Sequence, residues 1–140
     1  MSDGISDLFK IYGERHIYSG GQPQDKIRQQ ILESETHVEI MDRVIDFLHL
    51  KSFHVAGFRP GMKKDGSWVT AVIGDGKGFP DVFAVRYHPQ YIGLLVVEIK
   101  TENDEQSPEQ KQWQIWCEEA GIPYIVVRPS TWEEFVRLLE

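Results

Sequence analysis

The run Leu94-Leu95-Val96-Val97-Glu98-Ile99-Lys100 sets a carboxylate and an ammonium at the end of an otherwise apolar stretch. Side chains alternate faces along a strand, so Glu98 and Lys100 share one face while Val97 and Ile99 share the other. A carboxylate there is costly to bury unless it is paired or binds a cation. Asp81 opens the preceding strand-like run, Asp81 to Tyr87. In an antiparallel hairpin centred near residues 89–91, the start of the first strand lies beside the end of the second. That brings Asp81 close to Glu98 and Lys100. Hard divalent cations such as Mg²⁺ take one or two carboxylates and complete their shell with water and substrate phosphate. A cation held there would polarise a phosphodiester and lower the pKa of a bound water, while Lys100 orients the water or stabilises developing negative charge. The natural reaction is phosphodiester hydrolysis. The competing reading is a surface salt bridge at a strand end, since acidic-x-Lys also occurs at Asp75-Gly76-Lys77 and Glu109-Gln110-Lys111. Only the copy at 98–100 ends an apolar strand and has a Pro-Asp one hairpin upstream.

The elements that must position these residues are readable from periodicity and punctuation. Residues 1–33 show weak periodicity and the Gly20-Gly21-Gln22-Pro23 break, which predicts a loosely structured lead-in with one short helix over 24–32. Val38, Met41, Val44, Ile45 and Leu48 recur at helical spacing, and the helix starts at Ser34 or at Thr36, whose Glu39 stands at capping-box distance. Ser52 to Phe58 and Ser67 to Ile73 are β-rich and read as a hairpin across Arg59 to Gly66. Asp81 to Tyr87 and Gly93 to Lys100 form a second hairpin. Ser107-Pro108-Glu109-Gln110 opens a helix that Gly121 ends. Pro123 to Val127 reads as a strand buried on both faces, and Ser130-Thr131-Trp132-Glu133 as the cap of a last helix. The order αββββαβα predicts an α/β (α+β) fold, a mixed central β-sheet flanked by helices around one core.

A chain of 140 residues, 41% hydrophobic and 26% charged with 7 Pro and 12 Gly, has the size and composition of one ordinary domain, not of a disordered tail, collagen or coiled coil. Its lone Cys117 excludes an internal disulfide and points to a reducing cytoplasm. No apolar leader and no long apolar run is present, so neither a signal peptide nor a membrane partner is expected. A net charge of −7 argues against coating nucleic acid by bulk positive field, but residues 51–100 are net +3, as a local phosphate-binding surface would be.

Gly78-Phe79-Pro80-Asp81, Val97-Glu98-Ile99-Lys100, Ser107 to Trp113, Ala120-Gly121-Ile122-Pro123 and Val127-Arg128-Pro129-Ser130, in that order, resemble the VRR-NUC family of the PD-(D/E)XK nucleases. The resemblance runs from about Ser34 to the last residue and marks 34–140 as the nuclease-like domain behind the 1–33 lead-in. It implies a restriction-endonuclease-like αβββαβ core and a Mg²⁺- or Mn²⁺-dependent nuclease. Asp81 and Glu98 would hold the metal with the Ile99 carbonyl, and Lys100 would be the catalytic lysine. The family's helix glutamine falls on Gln110 and its first-helix acidic residue on Glu35, with Glu39 one turn on as the alternative. Each has a plainer reading: Gln110 closes a capping box, and Glu35 stabilises a helix N-terminus.

The resemblance further implies DNA cleavage that leaves a 5′-phosphate. Stand-alone members are similar to Holliday-junction resolvases and are common in phages and prophages, so branched or duplex DNA and a homodimer are the first partners to expect. The alternatives are a catalytically silent nucleic-acid-binding module of the same fold, or a nuclease acting on single-stranded DNA or RNA. Gly74, Gly76 and Gly78 do not make a phosphate-binding P-loop, so no nucleotide cofactor is expected. Arg59, Lys63 and Lys64 in one loop and Lys77 in another are candidate phosphate contacts, although solvated loop tips look the same in sequence. The histidines lack zinc-ligand spacing, with His54 a candidate substrate contact, and Trp113, Trp116 and Trp132 read as core or interface aromatics.

Overall fold

The computed structural model describes residues 23–59, 61–69, 73–88, 90 and 92–140. The chain divides into two compact units, Met1–Leu32 and Glu33–Glu140. Helix α1, Pro23–Ser34, starts with Pro in its first turn, carries Asp25 there, and contains no Gly and no further Pro. All three favour a helix start and an unbroken interior. It is longer at both ends than the expected 24–32, and the rest of the lead-in, residues 1–22, lies outside the described residues.

In the second unit, helix α2 spans His37–Leu50, and Thr36 rather than Ser34 is its N-cap, the Thr36 side chain accepting from Glu39 N–H at 3.2 Å. Its buried stripe is Ile40, Met41, Val44 and Leu48, whereas Val38, expected on that stripe, lies in the first turn and is 48% exposed. Strands β1 (His54–Gly57), β4 (Val82–Val85), β5 (Leu94–Ile99) and β6 (Tyr124–Val127) form one sheet in the order β1-β4-β5-β6. The pairs β1–β4 and β4–β5 are antiparallel, and β5–β6 is parallel. Among the described residues, short strands β2 (Gly61–Met62) and β3 (Trp68–Val69) pair only with each other.

The expected hairpin between 52–58 and 67–73 is therefore replaced by two separate pairings. The Asp65-Gly66 turn closes a smaller hairpin, with Gly66 N–H donating to Lys63 O and Lys63 N–H to Ser67 O, and β1 is left to pair with β4. Residues 70–72 of the expected strand lie outside the described residues. The second hairpin has the expected centre: Val82 stands opposite Val97 and Val85 opposite Leu94.

Register decides which residues share a face. Val82, Ala84, Leu95, Val97, Ile99 and Val127 point to one side, where they pack with α2 and with Phe135 and Leu139 of the last helical segment. Val96, Glu98 and, across the parallel pair, Tyr124 point to the other. Helix α3, Pro108–Glu119, carries the full capping box: Ser107 Oγ accepts from Gln110 N–H at 3.2 Å, and Gln110 Oε1 accepts from Ser107 N–H at 2.8 Å. Gly121 ends it at φ 73°.

Strand β6 is not buried on both faces as expected, because it is the edge of the sheet and only Val127 is fully buried. Nor does the last helix, α4 (Trp132–Leu138), have a side-chain cap. A 3₁₀ turn, Pro129–Thr131, precedes it, and Thr131 Oγ1 instead accepts from Arg128 N–H at 2.9 Å. The architecture is thus a mixed α/β sheet flanked by helices. No described helix is long and apolar enough to cross a membrane.

Candidate metal-dependent active site

Continuing the β4–β5 register one step past Val82–Val97 sets Asp81 opposite Glu98, on the side where Val96 and Tyr124 also lie. The Asp81 carboxylate is held in place by Ile99 N–H, which donates to Oδ2 at 2.8 Å. His37, the first residue of α2, brings Nε2 to 3.4 Å from the same oxygen. Upstream, the Gly74–Gly78 loop is fixed against α3. Trp113 Nε1 donates to the Asp75 and Lys77 carbonyls, both at 3.1 Å, and Gly78 adopts φ 78° where an added Cβ would stand 2.7 Å from Gln110 N. Phe79 packs edge-on to Trp113 with centroids 5.1 Å apart. The approach to Asp81 is therefore a segment braced against α3.

Glu98 is completely buried. Its Oε2 accepts from the Tyr124 hydroxyl and from Gln106 Nε2, the latter at 3.3 Å. Its Oε1 is buried and has no hydrogen-bond partner among the described residues. Burial raises the Glu98 pKa above the usual carboxylate range, a shift that the Tyr124 and Gln106 hydrogen bonds oppose and the nearby Asp81 charge reinforces. The Tyr124 phenol is pushed up as well, by burial first and by Glu98 second. Lys100 is 7% exposed, with Nζ 3.6 Å from Asp104 Oδ2.

An oxygen that is buried, acidic and without a donor is expensive, and a divalent cation is the partner its chemistry suits. Asp81 and Glu98 thus fit a Mg²⁺- or Mn²⁺-type ion. Among the described residues no three His, Cys, Asp or Glu converge on one point. A cation here would rest on two carboxylates with carbonyl or water oxygens, as Mg²⁺ commonly does.

The other expected residues are distributed differently. Glu35 is tied to Arg43 at 3.0 Å, and Arg43 lies over the Trp132 ring at 4.4 Å. Its alternative, Glu39, is exposed in the first turn of α2. Gln110 spends its side-chain oxygen on the capping box. Arg59 is paired with Asp42, Lys77 with Glu109 at 2.9 Å, and Lys63 and Lys64 stand exposed at the small hairpin's turn. His54 is exposed on the edge strand β1.

Three residues in contact with the two carboxylates, His37, Gln106 and Tyr124, were not singled out from the sequence for this role. Tyr124 carried a signal: a phenol in a strand read as buried needs a hydrogen-bond partner. His37 and Gln106 carried none beyond standing next to the helix caps Thr36 and Ser107.

Compared with known families, the chain matches the VRR-NUC domain over residues 21–131, beginning upstream of the Ser34 at which the motif-bearing segment was expected to start. No curated protein and no solved structure matches it.

Proposed function

The chain belongs to the VRR-NUC domain family, a nuclease-type domain, and on that premise we propose that it is a Mg²⁺- or Mn²⁺-dependent endonuclease that hydrolyses phosphodiester bonds in DNA. The observation that carries this reading is the pair Asp81 and Glu98, the second fully buried with one oxygen lacking any donor among the described residues, two positions before the buried Lys100. In this reading Asp81, Glu98 Oε1 and the Ile99 carbonyl would hold the cation. When bound, it would supply positive charge to the scissile phosphate and lower the pKa of the attacking water.

The chain's own groups do the rest. Ile99 N–H keeps the Asp81 carboxylate oriented. Lys100, shielded from solvent and close to the Asp104 carboxylate, donates hydrogen bonds from its ammonium to the attacking water or to the phosphate oxygens as charge develops there. Water adds to phosphorus and gives up a proton to solvent, the bond to the 3′ oxygen breaks and that oxygen takes up a proton to leave as the 3′-hydroxyl, and a 5′-phosphate remains. Glu35 and Gln110 act in the proposal from their observed positions, at the head of α2 and in the α3 cap. Lys63, Lys64, Arg59 and Lys77 are the proposed backbone contacts.

The test is cleavage of labelled single-stranded, duplex, flap and four-way-junction DNA with Mg²⁺, Mn²⁺ or EDTA. Glu98→Ala and Lys100→Ala are expected to lose at least about 100-fold in rate, the scale of a removed transition-state charge contact. Glu35→Gln and Gln110→Ala are expected to lose less. Paired symmetric cuts in the junction, with a dimer by light scattering, would establish the homodimeric, branched-DNA form of the proposal. Cutting of linear single strands by a monomer would keep the nuclease and remove the resolvase. Folded protein that cuts no substrate with either metal would favour a silent binding module.

A further inference from the structure

Two neutral side chains crowd one oxygen of Glu98 and leave the other bare. Tyr124 reaches it from β6: the parallel register sets Tyr124 beside Val96, on the same face as Glu98, and its hydroxyl donates to Oε2. Gln106 reaches it from the segment before α3, its Nε2 donating to the same Oε2 at 3.3 Å. The direction of the Gln106 amide is set by a relay. Its Nε2 also donates to Gln114 Oε1 at 3.1 Å, and Gln114 commits its own Nε2 to Glu118 Oε1 at 3.0 Å. With Gln114 presenting only an acceptor, Gln106 must turn its NH₂ inward, toward Glu98. Among the described residues every donor that reaches Glu98 therefore lands on Oε2, while Oε1, buried in the same residue, meets none.

We propose that Tyr124 and Gln106 are positioning residues for the cation site: they saturate Oε2, fix the plane of the Glu98 carboxylate, and present Oε1 alone to the divalent ion. This rests on the nuclease reading above and deepens it. Groups that orient a ligand without touching the ion commonly account for 10- to 100-fold in metal affinity. In their absence Glu98 would turn about its terminal bond, and its two oxygens would compete for the same ion.

The experiment is calorimetric titration of the metal-free full chain with Mn²⁺ and Mg²⁺, in wild type, Tyr124→Phe, Gln106→Leu and Glu98→Gln. Melting curves in EDTA monitor the fold. Tyr124→Phe keeps the ring and removes only the donor, and it is expected to weaken metal binding by about tenfold or more. Gln106→Leu, at a partly exposed position, is expected to act in the same direction and keeps the test decisive if the tyrosine variant fails to fold. In cleavage assays the metal concentration for half-maximal rate should rise while the rate at saturating metal changes far less, a split that loss of packing alone would not produce.

Wild-type metal affinity in both variants, with binding lost in Glu98→Gln, would overturn the positioning role and leave the metal site standing. Absence of binding in wild type itself would fail the nuclease reading and the proposal together.

Discussion

At the scale of single residues, Glu98 makes the metal-free protein sensitive to pH in an unusual direction. Its carboxyl titrates above its ordinary value of 4.5 because burial disfavours the charged form. A group whose pKa is raised by folding stabilises the fold below its unfolded pKa, and that stabilisation is lost as pH climbs through the raised folded value. As pH climbs through that raised value the metal-free protein takes on a charge at a completely buried position. Glu98→Gln removes the charge and keeps an acceptor for the Tyr124 hydroxyl. It is expected to raise the melting temperature in EDTA at pH 7.5 by a few degrees, on the order of 1 kcal/mol. The gain should shrink toward zero as pH falls below the ordinary carboxylate range, which thermal melts across pH would show. A gain that persisted unchanged in acid would mean that charge is not its cause. The placement of Asp81 beside Glu98 was legible in the sequence, because alternation and the centre of a short hairpin are local properties. Tyr124 and Gln106 were not, since their approach depends on a parallel register set across an intervening helix and on a connection with no periodicity of its own.

At the scale of elements, the best-read feature is the start of α3. Ser107, Pro108 and Gln110 announce the capping box in sequence, and both of its hydrogen bonds are present. Ser107→Ala is expected to cost about 1 kcal/mol. Because Ser107 and Gln110 satisfy each other's backbone, Gln110→Ala in the Ser107→Ala background should cost less than Gln110→Ala alone, and a double-mutant cycle by urea denaturation measures the difference. Additive losses would mean that the two bonds act separately. The first hairpin departs from expectation for the opposite reason. The Asp65-Gly66 signal is real, but it closes only the Gly61–Met62 and Trp68–Val69 pair, while β1 finds its partner in β4, a choice made by sheet formation and not by turn chemistry. Strand β6 is less buried than expected because an apolar, β-branched run does not say whether it ends up central or at an edge.

At the scale of the whole molecule, every described member of the main hydrophobic core lies between Ile40 and Leu139, within the unit Glu33–Glu140. We expect a chain reduced to residues 33–140 to unfold cooperatively, with a melting temperature within about 4 °C of the full chain, the shift that ~1 kcal/mol produces at this size. Differential scanning calorimetry on both chains decides it, and a non-cooperative transition would show that the first 32 residues are needed for folding. The contact between Gly78 and the first turn of α3 has a consequence for how such a protein can diverge. The loop that delivers Asp81 and the helix whose approach segment delivers Gln106 meet with no room for a single carbon between them. Gly78 cannot gain a side chain unless the α3 backbone at Glu109–Gln110 moves, so a lineage of this domain would be free to vary the tip at Lys63–Gly66 while inheriting the 78–81 and 107–110 segments as one unit.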